Sequence, residues 1–154
     1  MSSYVSAELR RLVHERAQAL CEYCLIHEED TFFGCQVDHI ISEKHSGPTE
    51  AQNLASACTF CNRAKGTDLG SMASGSGQLT RFFNPRDDRW SEHFRLDGAR
   101  IVPLTVIGEV TSSVLQFNAV DRLSERFALI SVSRYPSAAA QRVIDGLTGR
   151  RQID

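Results

Sequence analysis

An α+β fold tied together at four cysteines is predicted by three features of the sequence: two cysteine pairs of identical spacing, a helical apolar period just before the first pair, and short β-rich runs between the pairs. The first element is "SAELRRLVHERAQAL" at 6–20, where Leu9, Leu12, Val13, Ala17 and Leu20 recur at helical spacing. Ser6 suits its N-cap and Glu8 its first turn. This helix delivers the pair "CEYC", Cys21 and Cys24. Next, "DTFFGCQVDHI" is rich in β-formers and reads as a strand, followed by the turn-like "SEKHSGPTEAQ". The apolar "NLASA" leads into the second pair, Cys58 and Cys61, and "CTFCNRAKG" reads as a short helix closed by Gly66.

The second half is predicted in the same way. "LGSMASGSG" at 69–77 is small and polar, a loop or flexible joint. "LTRFFNPRDDRWSEHF" has no clean period. "ARIVPLTVIGEVTSSVLQF" reads as two strands meeting near Gly108, and "AVDRLSERFALISVSRY" as a helix with Val120, Leu123, Phe127 and Ile130 on its apolar side. A last helical segment follows Pro136. The expected organisation is residues 1–70 as a core and 71–154 as a hairpin-plus-helix extension packed on it in one compact unit. A chain of 154 residues is long enough for this, because a domain of that size buries about 70% of the surface its unfolded chain exposes.

The cysteines carry the strongest chemical signal. A C-x-x-C turn presents two thiolates to one ion, and two such knuckles complete the tetrahedron that zinc prefers. Cys21, Cys24, Cys58 and Cys61 are therefore read as a structural zinc site, closed to water because protein fills all four positions. The odd cysteine, Cys35, reads as a small buried apolar residue. His27 is read as a loop histidine rather than a competing ligand.

The 33 residues between the knuckles hold "VDHI". Neighbouring strand residues point to opposite faces, so Asp38 and His39 serve one site only where the strand is ending. Phosphodiester hydrolysis asks for a cation on the phosphate and a base of near-neutral pKa beside the attacking water. A carboxylate and an imidazole side by side offer both.

In the order "CEYC", "VDHI", "NLASAC", "CNRAKG", the segment 21–66 resembles the zinc-knuckle form of the HNH, or ββα-metal (His-Me finger), endonucleases, of the stand-alone bacterial type. The resemblance implies a ββα-metal core and a metal-dependent endonuclease that hydrolyses phosphodiester bonds in DNA, leaving 5′-phosphate and 3′-hydroxyl ends. It implies His39 as general base, Asp38 and Asn62 as ligands of one catalytic divalent cation, and Asn53 as the residue that orients the His39 loop. Asn62 stands where many members have His; an amide and a carboxylate are hard donors, which favour Mg2+ or Mn2+. Ser42 stands where relatives often have Pro, which bears on loop rigidity. Arg63 and Lys65 follow Asn62 on the same short helix and are candidate phosphate contacts, with a solvated basic face as the alternative. His45 reads as a loop histidine, and Glu43 and Lys44 have only proximity in their favour.

"FFNPRDDRWSEHF" resembles a segment that often follows this motif. Arg81, Arg86 and Arg89 beside Trp90 and Phe94 suggest a DNA-contacting ridge, with Arg86 the named candidate. The competing reading has Phe82, Phe83, Trp90 and Phe94 in a core and the arginines paired with Asp87, Asp88 and Glu92. His93 is an open candidate. Overall charge does not identify a polyanion partner: residues 1–70 carry 6 basic against 10 acidic groups, and 71–154 carry 11 against 9. Double-stranded DNA is the expected partner by resemblance, and binding then falls to local arginines and bound cations. No apolar run approaches the roughly 18 residues of a membrane span, and the N-terminus lacks a signal pattern, so the expectation is a cytoplasmic chain without membrane contact. Two other readings stay open: a zinc-stabilised nucleic-acid-binding module without turnover, and a defence or toxin nuclease activated by a partner. Oligomeric state is not written in the residues.

Overall fold

The computed structural model describes residues 4–147. Helix α1 (Ala7–Arg16) starts where expected, with the Ser6 hydroxyl accepting the Leu9 N–H at 3.1 Å. It ends four residues early, because Gln18 and Ala19 take left-handed backbone angles that turn the chain into the first knuckle. Strand β1 (Cys35–His39) pairs antiparallel with β2 (Leu54–Cys58), from Cys35 opposite Cys58 to His39 opposite Leu54. This register sets the catalytic candidates at one end of the ribbon and cysteines at the other. The Phe32–Phe33 stretch predicted as strand is instead an exposed turn.

Helix α2 (Thr59–Lys65) follows β2 directly, and the chain leaves it through Gly66 at φ 53. The resulting β1-β2-α2 unit is the core predicted between the knuckles. Arg16 secures its corner by donating from α1 to the carbonyls of Ala51 and Leu54.

Two expectations beyond residue 68 are corrected. The 69–77 loop contains β3 (Gly70–Met72), which forms a small antiparallel ribbon with β4 (Leu79–Arg81). The two strands meeting near Gly108 are in fact one strand and one helix. After the short helix α3 (Trp90–His93), β5 (Phe94–Asp97) pairs with β6 (Arg100–Pro103), and α4 (Val106–Val114) then runs straight through Gly108. Thr105 caps α4 by accepting the Gly108 N–H. The β-branched residues that suggested a strand are overruled by packing, because only a helix with glycine at 108 passes this close to the end of α3. A Cβ at Gly108 would stand 2.3 Å from the His93 carbonyl oxygen. Gly108→Ala should therefore destabilise the protein by about 1–3 kcal/mol in thermal melts, although alanine is the better helix former.

Helix α5 (Val120–Ser131) forms as predicted, but only part of its apolar side turns inward, with Ile130 packed against the core. Arg122 and Arg126 are buried, while Val120 and Phe127 are 82% and 71% exposed. Arg126 satisfies the carbonyls of Ala99 and Phe117, each at 2.7 Å, and Arg122 reaches the second knuckle. Helix α6 (Ala138–Ile144), capped by Ser137, closes the described chain.

One apolar cluster joins all four paired cysteines to Phe82, Phe83, Trp90, Phe94, Phe117 and Tyr135. Phe94 sits at its centre, in edge contact with Phe83 and Phe117. The tail also holds the first knuckle by hydrogen bonds: Trp90 Nε1 donates to the Tyr23 carbonyl, and the Tyr135 hydroxyl to that of Cys24, each at 2.8 Å. No helix among the described residues is long and apolar enough to cross a membrane.

Candidate active site

The four cysteines are positioned to form a zinc site. Their sulfurs all lie within 4.8 Å of one another and each residue is at most 1% exposed. Thiolates about 2.3 Å from a central ion stand about 3.8 Å apart in a tetrahedron. The Cys24 and Cys58 sulfurs are 3.8 Å apart. Within each knuckle the second cysteine's N–H points at the first sulfur, from Cys24 to Cys21 and from Cys61 to Cys58, both at 3.5 Å. Burial holds the thiols of Cys21 and Cys61 well above their usual range, whereas hydrogen bonds from the neighbouring cysteines hold Cys24 well below it. Four crowded thiols do not all ionise unaided, and a central cation removes that obstacle. His27 stands outside the cluster, its Nδ1 accepting the Glu29 N–H. Cys35 is half-buried against the core.

At the far end of the ribbon, Asp38, His39 and Asn62 line one open cleft of about 400 Å³, together with Ser42, Glu43, Lys44 and Thr67. Asp38 is only 5% exposed. Its Oδ2 accepts the Tyr23 hydroxyl at 2.9 Å, and the Lys65 ammonium lies 3.3 Å from Oδ1 and 3.2 Å from Oδ2. Burial raises the Asp38 pKa, and the Lys65 charge opposes that rise. Each carboxylate oxygen has two lone pairs, so these bonds leave acceptor capacity toward the cleft.

The His39 ring bonds through Nε2 to Thr49 Oγ1 at 2.9 Å. Asn62 commits its amide nitrogen to Gln36 Oε1 at 2.6 Å, which leaves its oxygen as the donor atom for a ligand.

Asn53 lies outside the cleft and clamps the loop that follows His39. Its Oδ1 accepts the Ile41 N–H, and its Nδ2 donates to the carbonyls of Ile41 and Pro48, each at 2.9 Å. Gly47 fits beneath this clamp only because it lacks a side chain: a Cβ would stand 1.7 Å from the Ile41 oxygen. Asn53→Ala removes all three bonds and should cost about 1–3 kcal/mol in urea unfolding. Asn53→Asp keeps the Ile41 N–H bond but turns an oxygen toward two carbonyls, and should cost at least as much. Unchanged unfolding in both variants would contradict the clamp.

Two candidate nucleic-acid contacts need correction. Lys65 is 2% exposed and spends its ammonium on Asp38 and the His39 carbonyl, so it belongs to the interior of the site. Arg86 turns inward to Glu22, whose other oxygen accepts the Ser56 N–H. Arg81 pairs with Asp88, and Arg89 donates to the Gly146 carbonyl. Phe82, Phe83, Trp90 and Phe94 are core residues rather than stacking platforms. His93 engages the Thr105 hydroxyl through Nδ1. Only Arg63 of the three named contacts is exposed.

Thr49, Tyr23, Gln36 and Gly47 escaped the sequence reading. A threonine in a loop or a tyrosine inside a knuckle looks ordinary until folding sets it against His39 or Asp38. No curated protein and no solved structure matches the chain. The segment that builds both ends of the ribbon, residues 21–68, matches the family model described as HNH endonuclease.

Proposed function

We propose that this chain is a metal-dependent endonuclease that hydrolyses phosphodiester bonds in DNA, with double-stranded DNA as substrate and the cytoplasm as its place of action. The observation that carries the reading is the convergence of Asp38, His39 and Asn62 on one cleft between the His39 end of β1 and helix α2. In this reading Asp38 and the Asn62 amide oxygen hold one Mg2+ or Mn2+, hard donors for a hard cation. When bound, that cation stabilises negative charge on the scissile phosphate and the leaving oxygen. His39 takes the proton of the attacking water. With Nε2–H donated to Thr49, the ring offers its Nδ1 lone pair for that transfer. Lys65 and Tyr23 fix the angle of the Asp38 carboxylate, and Asn53 holds the loop that carries the base. Arg63, next to Asn62 on α2, is exposed and serves as a phosphate contact.

One observation favours a second reading, a zinc-stabilised nucleic-acid-binding module without turnover: the Lys65 ammonium already balances the Asp38 charge. Incubation with plasmid, linear duplex and single-stranded DNA, with Mg2+, Mn2+ or chelator, separates the two. The nuclease reading expects metal-dependent nicking or cutting of duplex DNA, whereas retention of DNA in gel shifts with no cleavage under any metal supports the binding module.

A further inference from the structure

Buried charge on α5 is hard to explain by local packing. The helix packs Leu129 and Ile130 against the core, yet it leaves Val120 and Phe127 in solvent and turns Arg122, 4% exposed, toward the interior. Burying an arginine is costly unless an opposite charge or a full set of acceptors receives it. Its Nη2 lies 3.3 Å from the Cys61 sulfur and 3.7 Å from that of Cys58. Its Nη1 donates to the Leu115 carbonyl at 2.9 Å, at the end of α4. The guanidinium carbon lies 5.5 Å from the centre of the Phe60 ring and 6.0 Å from that of Phe117.

Four thiolates around a divalent cation leave the centre with net negative charge, and here the sulfurs are sealed from water. We infer that Arg122 is an outer clamp of this metal centre, which balances charge on the Cys58 and Cys61 thiolates and makes the C-terminal half a component of metal retention. The planar fork suits the task, since one edge faces sulfur while the other engages the α4 carbonyl. Trp90 and Tyr135 reach the first knuckle at backbone carbonyls, and Arg86 pairs with the Glu22 carboxylate rather than with a sulfur, whereas Arg122 meets the sulfurs themselves. Groups around a metal's ligands tune its affinity, commonly by 10–100-fold.

The inference rests on zinc occupying the four-cysteine site and not on the nuclease reading, and its test needs no cleavage assay. Full-length Arg122→Gln and Arg122→Lys proteins are loaded with zinc, and transfer of zinc to a chromogenic chelator is timed. Zinc release should be about 10-fold faster or more in Arg122→Gln, with Arg122→Lys between it and the parent. In cobalt-substituted protein the thiolate-to-metal charge-transfer band should move to lower energy, because losing an N–H···S bond makes sulfur a better electron donor. Alkylation mapped by mass spectrometry should rise first at Cys58 and Cys61. Parent-like zinc release in folded Arg122→Gln would overturn the inference. An unmoved cobalt band would also overturn it, reducing Arg122 to a cap on α4. Should Arg122→Gln fail to fold, Arg122→Met, which keeps an unbranched stem without charge or N–H donors, decides by the same readouts, and parent-like values there refute the clamp.

Discussion

Stripping zinc from the purified protein with a strong chelator is expected to abolish its cooperative unfolding transition. The reason is a comparison of magnitudes. A structural four-ligand zinc site contributes about 10–16 kcal/mol of apparent binding free energy near neutral pH, whereas a whole domain is stable by about 5–15 kcal/mol. Here the loss cannot stay local, because the cysteines belong to the same apolar cluster as Trp90, Phe94, Phe117 and Tyr135. Melting of 21–66 would release the carbonyl partners of Trp90 and Tyr135 and the sulfur partners of Arg122. Metal analysis should find one zinc per chain, and circular dichroism should show the thermal transition vanish with chelator and return with zinc. Cys61→Ser should behave as the stripped protein. A sharp, unshifted melt after complete zinc removal would show that the apolar core suffices.

His39→Ala should leave that melt nearly intact and lower DNA cleavage by about 10²–10⁴-fold, the usual worth of a positioned general base. His39 is half-buried at a strand end and its side chain bonds to Thr49, so its removal orphans one hydroxyl at the edge of a cleft. The effect should appear in turnover with DNA retention unchanged, measured by plasmid nicking beside gel shifts in chelator. Thr49→Val leaves the ring but unpins it, and should cost less than His39→Ala. Cleavage by His39→Ala at the parent rate would remove the assigned base.

The legible parts of this chain are those written in local patterns. Two C-x-x-C pairs announce four thiolates, and Ser6 before a helical period announces a cap. Gly66 after "CNRAK" marks a helix end, and the order from Cys21 to Asn62 pointed to the family whose model matches residues 21–68. The illegible parts depend on distant partners. Gly108 lies among strand-forming residues, and its helix is decided by a close approach to the His93 carbonyl. Lys65 looks like a surface cation on a short helix until the β1-β2 ribbon places Asp38 beneath it. Arg86 looks like a phosphate contact until Glu22, across the fold, claims it.

Spacing alone brought out the four cysteines that fold into one metal-sized cluster, and the order of short motifs resembled the family whose model matches residues 21–68, because ligand geometry and turn chemistry act over a few residues. The assignment of buried and exposed charge came from three-dimensional packing alone. An arginine or lysine reads the same in any helix, and whether its charge faces water, a carboxylate or a thiolate depends on what other parts of the chain bring opposite it.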